Sequence, residues 1–180
     1  MLETKLYLNQ TITPRRESSS GGFESQATRS ALNNYRAALL RAAVARVWAA
    51  VSGHKGNLLD LSEVEKQIQV RNRHHAGIQA VPVHKIVGSL GRCGDFDARF
   101  NPLNETTRDR WLSVARARLL GIPLPLVELI QVGESYFVRD GHHRISVARS
   151  FGEQAVDAEV IVWEVASHPT GEANGLPQLV

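Results

Sequence analysis

The sequence predicts an α+β protein, with a helical N-terminal part followed by a small sheet that has helices against it. Three observations lead there. Residues 28–51 repeat apolar side chains at three- and four-residue steps, the period of a helix. Residues 81–87, 126–132, 136–139 and 156–165 are instead short β-branched or aromatic runs, bounded by Gly- and Pro-containing punctuation. At Tyr136-Phe137-Val138-Arg139-Asp140-Gly141-His142-His143-Arg144 a strand pattern turns through Asp-Gly into helical spacing.

Length and composition set the frame for these elements. A chain of 180 residues suits one domain with an appendage, and 43% hydrophobic with 22% charged residues is the balance of a globular protein. The net charge of +3 and pI near 9.3 fit a phosphate-bearing partner without demanding one, because no long Lys/Arg run exists. The single cysteine, Cys93, excludes an intramolecular disulfide and a multi-cysteine zinc site, and points to a reducing, cytoplasmic setting. Residues 1–10 have no continuous hydrophobic region, so no signal peptide is expected, and no stretch has the length of a membrane span.

Taken in order, residues 1–25 contain Pro14-Arg15-Arg16 and a Ser/Gly run, too little apolar surface to fold alone, and are expected as a flexible arm. A helix follows from Thr28 or Ser30, burying Leu32, Tyr35, Leu39, Ala42 or Ala43, Val47 and Val51, and Ser52-Gly53 closes it. Asp60 or Ser62 caps a second helix reaching about Arg71, with Leu61, Val64 and Ile68 on one side. The two are expected as an antiparallel hairpin over residues 26–75, ending in the polar connector Arg71-Asn72-Arg73-His74-His75. Neighbouring histidines point apart, so no metal site is expected there.

Residues 81–87 begin the second part, 76–166, as a strand with Pro82 near its start. The loop Gly88-Ser89-Leu90-Gly91-Arg92-Cys93-Gly94-Asp95-Phe96 lets backbone approach a ligand closely, but lacks the Lys-Ser/Thr pair of a P-loop. Asn104 or Thr106 caps a helix around Trp111, a core anchor, that ends at Gly121. A hairpin turns at Gly133-Glu134-Ser135, a helix leads from His143 to Gly152, and residues 156–165 form the last strand before a tail at 167–180.

Chemistry concentrates at residues 140–144. The first N–H groups of a helix lack intrahelical acceptors and carry the positive end of its dipole, so an anion, phosphate above all, is held there. Gly141, His142, His143 and Arg144 are the candidate phosphate ligands, with Ser89 and Arg92 on a facing wall. Arg144 can grip two phosphate oxygens at once. Either histidine can donate to phosphate or move a proton near neutral pH. Asp140 can orient a histidine or hold a magnesium ion that bridges phosphates, and Asp95 is a candidate base. His143, Asp140 and Asp95 are therefore the candidate catalytic residues. A structural use of the same side chains stays open: Asp140 making the turn, His142 capping the helix, Arg144 pairing with a neighbouring acid, and Asp95 closing an Asx turn.

This order of elements resembles the ParB/sulfiredoxin superfamily over about residues 80–165. Val81-Pro82-Val83-His84-Lys85-Ile86-Val87, followed by Arg92, is similar to the opening strand and box of the ParB N-terminal domain. Leu124-Pro125-Leu126-Val127-Glu128-Leu129 is similar to the family's next strand segment. Asp140-Gly141-His142-His143-Arg144 stands where ParB proteins carry a glycine motif with arginines, and sulfiredoxins Gly-Cys-His-Arg. The resemblance implies a small mixed sheet with helices whose motif cradles nucleotide phosphates. ParB proteins bind and hydrolyse CTP, sulfiredoxins use ATP, and ParB-like free-serine kinases transfer phosphate. The implied ligand is ATP, ADP or CTP, with Mg²⁺.

Three departures narrow what is implied. His142 stands where sulfiredoxins have their cysteine, and Cys93 lies in another loop, so sulfiredoxin activity is not expected. No helix-turn-helix pair follows Val165, and Asp95 and Asp97 occupy the loop where the kinases carry a glutamate. Two functions remain. One is a nucleotide-dependent phosphotransferase or NTPase acting at this corner on a small-molecule acceptor or water. The other is a non-catalytic ParB-like DNA-binding or regulatory module, with the N-terminal helices as a homodimer surface. No membrane partner is expected.

Overall fold

A computed structural model describes residues 20–53 and 56–166. The expected N-terminal arm up to residue 19, part of the expected loop at His54 and Lys55, and the expected tail at 167–180 lie outside the described residues. The architecture is α+β. The elements are α1 (Ser20–Ser52), β1 (Leu59–Asp60), α2 (Leu61–Gln67), β2 (Val70–Pro82), β3 (Ile86–Ser89), α3 (Arg108–Leu119), β4 (Val127–Val132), β5 (Ser135–Asp140), α4 (His142–Ser150) and β6 (Ala155–Val165). They build one six-stranded mixed sheet in the order β1-β3-β5-β4-β6-β2. β3 runs parallel to β5, and β4 pairs antiparallel with β5 and parallel with β6. No helix among the described residues is long and apolar enough to cross a membrane.

Strand alternation divides the core. Val127, Leu129, Tyr136, Val138, Ala158 and Val160 pack with Ile145 of α4 and with Phe96 and Phe100. Ile130, Val132, Phe137 and Trp163 point the other way and bury Leu61 and Val64 of α2. On the α4 side, a further layer joins Ala31 and Tyr35 of α1 to Trp111, Val114 and Ala115 of α3 and Val147 of α4. Trp111 is fully buried and its Nε1 donates to Ser146 Oγ at 2.8 Å, which ties α3 to α4. At ~25 cal/mol per Å² and ~200 Å² of side chain, burying this tryptophan stabilises the fold by roughly 5 kcal/mol.

The N-terminal helices differ from expectation. α1 begins at Ser20, so residues 20–25 are helix. Its buried face is Ala27, Ala31, Tyr35, Ala38 and Ala42, while Leu40, Val44, Val47, Trp48 and Val51 are exposed. Alanines let α1 approach α3 closely, and that contact outweighs the apolar content of the other face. Instead of pairing as a hairpin, α1 packs on α3 and α2 packs beneath the opposite face of the sheet. Asp60 does cap α2, accepting from the Ser62 N–H at 2.9 Å, but the helix ends at Gln67.

Residues 71–75, read from the sequence as a connector, belong to the 13-residue strand β2, so the division expected between residues 75 and 76 falls inside a strand. Among the described residues β2 is an edge strand paired only with β6, which places Trp163 beneath the Arg73 guanidinium at 4.2 Å, Glu164 beside His74 at 3.3 Å, and Glu159 beside His75 at 3.6 Å. Pro82 ends β2 rather than opening a strand, because it lacks an N–H to continue the ladder. A 3-10 turn at Val83–Lys85 then separates β2 from β3, and Arg149 Nη2 holds it by donating to Val83 O at 2.9 Å and Ile86 O at 2.6 Å.

Candidate functional site

Parallel strands end on the same side of a sheet, so β3 and β5 deliver Ser89 and Gly141 to one edge. Ser89 is in register with Val138, and the Leu90 N–H donates to Val138 O at 2.9 Å, laying the loop after β3 against the start of α4. Gly141 is the N-cap of α4 at φ 97°, ψ 23°, a left-handed conformation that glycine alone adopts without strain. A Cβ there would lie 2.7 Å from Val127 Cγ1 and 2.9 Å from Arg144 Nε, so space as well as torsion requires glycine. No side chain caps the helix. Its hydrogen-bond ladder starts with Ile145 N–H to Gly141 O at 3.0 Å, leaving the N–H groups of His142, His143 and Arg144 without a backbone acceptor among the described residues.

The two histidines have different surroundings. His142 is buried, stacks beside Phe96 at 6.3 Å, and its Nε2 shares a 2.6 Å hydrogen bond with Ser89 Oγ. That hydroxyl oxygen also accepts from the Arg92 N–H at 3.2 Å, so Ser89 joins the glycine loop to the imidazole. His143 meets Phe96 edge-on at 5.4 Å, and its Nδ1 is buried with no hydrogen-bond partner among the described residues. Burial pushes both imidazoles down to about pKa 4. Arg92 adds to the shift at both, and Arg110 on α3 adds to it at His143. Both rings are therefore neutral at pH 7, and act as neutral donors or as proton acceptors rather than as imidazolium. Asp95 pulls both values back upward, which places its carboxylate within electrostatic reach. Arg92 Nη1 reaches Asp95 Oδ2 at 3.4 Å.

Arg144 is turned toward the protein. Its Nη1 donates to Pro125 O and Leu126 O, each at 2.6 Å, and its Nη2 pairs with Asp140 Oδ2. The Asp140 carboxylate is thereby held by Arg144 rather than by a histidine, and the pair fastens the β5–α4 corner to the chain entering β4. Of the residues singled out in the sequence, Ser89, Arg92, Asp95, Gly141, His142 and His143 thus gather at the corner, with Asp140 also within electrostatic reach of His142. Asp140 and Arg144 pair as a brace. Asp97, in the same loop as Asp95, is buried and spends its oxygens on the N–H groups of Arg99 at 2.9 Å and Asn101 at 2.8 Å.

Two residues of the site escaped the sequence reading. Phe96 walls both imidazoles, and Arg110 approaches His143 from α3. The apolar character of Phe96 in a Gly-rich loop was a signal; Arg110 had none, being one arginine among several on an amphipathic helix. Cys93 is free and half-buried, and burial raises its thiol pKa, which keeps it a weak nucleophile. Among the described residues no three His, Cys, Asp or Glu side chains gather to hold a metal by themselves. The class defined by these features is an α+β protein with a glycine-capped helix start and neutral imidazoles at the end of parallel strands. Comparison with protein-family models, curated proteins and solved structures finds no match.

Proposed function

We propose that the chain is a ParB-like nucleotide-binding protein of the cytoplasm that holds phosphate at the start of α4. The observation that carries this is the uncapped helix N-terminus on Gly141, with three N–H groups lacking backbone acceptors and the Nδ1 of His143 lacking a partner among the described residues. Burial is the main cause of the depressed His143 pKa; Arg92 and Arg110 add positive potential to it, and a phosphate beside them would offset that part. Magnesium accompanying a nucleotide takes most of its ligands from phosphate and water, and Asp95 is the carboxylate at the corner that Arg144 does not hold.

The proposed reaction is transfer of the terminal phosphoryl group to an acceptor hydroxyl or to water. One P–O bond forms as the bond to the departing diphosphate breaks, and the acceptor's proton passes to His143. Arg144 and Asp140 position the corner and do not touch the reacting atoms.

The test is a melting screen with ATP, ADP, CTP and GTP, each with and without Mg²⁺, coupled to an assay of nucleoside diphosphate release. A ligand that binds only the folded state stabilises it by about 2.7 kcal/mol at a hundred times its dissociation constant. At least one nucleotide should raise the melting temperature, and His143→Gln and Arg92→Ala should abolish that rise. Binding without turnover would leave the regulatory alternative, and DNA binding with no nucleotide response would leave the DNA-binding one. If no nucleotide stabilises the protein at millimolar concentration, the proposal fails.

A further inference from the structure

At the far end of α4 lies a cavity of about 400 Å³, lined by Arg41 of α1, Arg99 of the loop after β3, Arg149 of α4, and also by His84, Asn101 and Glu153. Neutral oxygens orient two of these guanidinium groups. Arg41 donates to Asn101 Oδ1 at 3.3 Å and Ser150 Oγ at 3.1 Å. Arg149 donates to two carbonyls of the 3-10 turn and lies over the Phe100 ring at 5.1 Å, while its Nε is buried with no partner among the described residues. None of the three arginines forms an ion pair among the described residues.

The acids nearby do not balance them. Glu153, the one carboxylate in the lining, is gripped by Arg118 through bonds of 2.7 and 2.6 Å. Asp97 lies buried behind the loop, its carboxylate bonded to backbone and to the Asn101 amide, and offsets only part of the Arg149 charge. The last carbonyls of α4 are also satisfied: Val147, Ala148 and Arg149 accept from the N–H groups of Phe151, Glu153 and Gly152. Positive charge is left in excess around a hollow of metabolite size.

We propose that this cavity binds the phosphate group of a small phosphorylated metabolite. Guanidinium groups brought from three segments suit the several oxygens of a tetrahedral dianion, which a planar carboxylate would engage less fully. The site is distinct from the start of α4. Eight residue steps at 1.5 Å separate His142 from Ser150, so the two lie about 12 Å apart along the helix.

Isothermal titration of the full chain with inorganic pyrophosphate, and separately with a 20-base-pair DNA duplex, tests the assignment. Arg99→Ala and Arg41→Ala, both at exposed positions, should each weaken pyrophosphate binding at this site roughly tenfold, the loss expected for one charge-assisted contact. His143→Gln should leave that component intact while removing any pyrophosphate bound at the α4 start, so the two sites fail independently. Pyrophosphate affinity indifferent to both arginine substitutions would overturn the proposal. So would a duplex that binds through Arg41 and Arg99 and is not displaced by pyrophosphate.

Discussion

At its N-terminal end α4 carries two imidazoles that burial keeps neutral, together with backbone N–H groups that have no charge to lose. At its C-terminal end Arg149 joins Arg41 and Arg99, three guanidinium groups around a cavity. Both ends are proposed anion sites, for different physical reasons. The first relies on oriented dipoles in a shielded place and should respond to pH. The second relies on full charges around an open cavity and should respond to salt. Between them Arg144, three residues from Gly141, has spent its charge on Asp140 and two carbonyls, so a cationic side chain in a motif need not face a ligand.

The most severe way to disturb the first end is Gly141→Ala. Left-handed torsion for a non-glycine residue, added to a Cβ within 2.7 Å of Val127 Cγ1, should destabilise the fold by about 3 kcal/mol or more in urea unfolding. An alanine variant of near-native stability would mean the corner is looser than described, and the contrast between the two ends would lose its basis.

Acid should come next. An imidazole with its folded pKa near 4, against an ordinary 6.5 when unfolded, binds protons more readily in the unfolded chain. Stability is then fully present above pH 6.5 and declines as pH falls toward 4, on the order of 3 kcal/mol from His142 and less from the more exposed His143. Equilibrium unfolding at pH 7, 5.5 and 4 would read this, and NMR titration of the two rings would sharpen it. Rings that titrate near pH 6.5 would mean the first end is not shielded from solvent, and the contrast with the second would weaken.

The smallest effect separates a brace from a ligand. Arg144→Ala should cost about 2 kcal/mol of stability through the lost bonds to Pro125 O, Leu126 O and Asp140, and should leave pyrophosphate binding largely in place once the protein is folded. Unchanged stability with lost binding would put Arg144 among the ligands, and the two ends of α4 would then be alike.

Much of this was legible along the chain. The strand, the glycine turn and the helix of residues 136–150 are local patterns, because torsional preference and side-chain period act within a few residues. The same holds for the Asp60 cap and the Trp111 anchor. The face of α1 was not legible. In an alanine-rich helix the apolar residues mark more than one stripe, and only contact with α3 chose Ala31, Tyr35 and Ala38 over Val44, Val47 and Val51. Nor was β2, whose Arg73, His74 and His75 read as a polar connector until β6 set Trp163, Glu164 and Glu159 beside them.

The sequence by itself determined that residues 140–144 form a glycine-capped helix start, the local geometry whose own backbone can attract an anion. Ser89 and Arg92 were expected to face that place from the sequence, but tertiary structure alone decided that Arg110 of α3 joins them and that Arg144 turns away. It also assembled Arg41, Arg99 and Arg149, which lie tens of residues apart in the chain. The reason is range. Backbone geometry is fixed by near neighbours, whereas the partner a charged side chain finds is fixed by packing between segments that no local pattern connects.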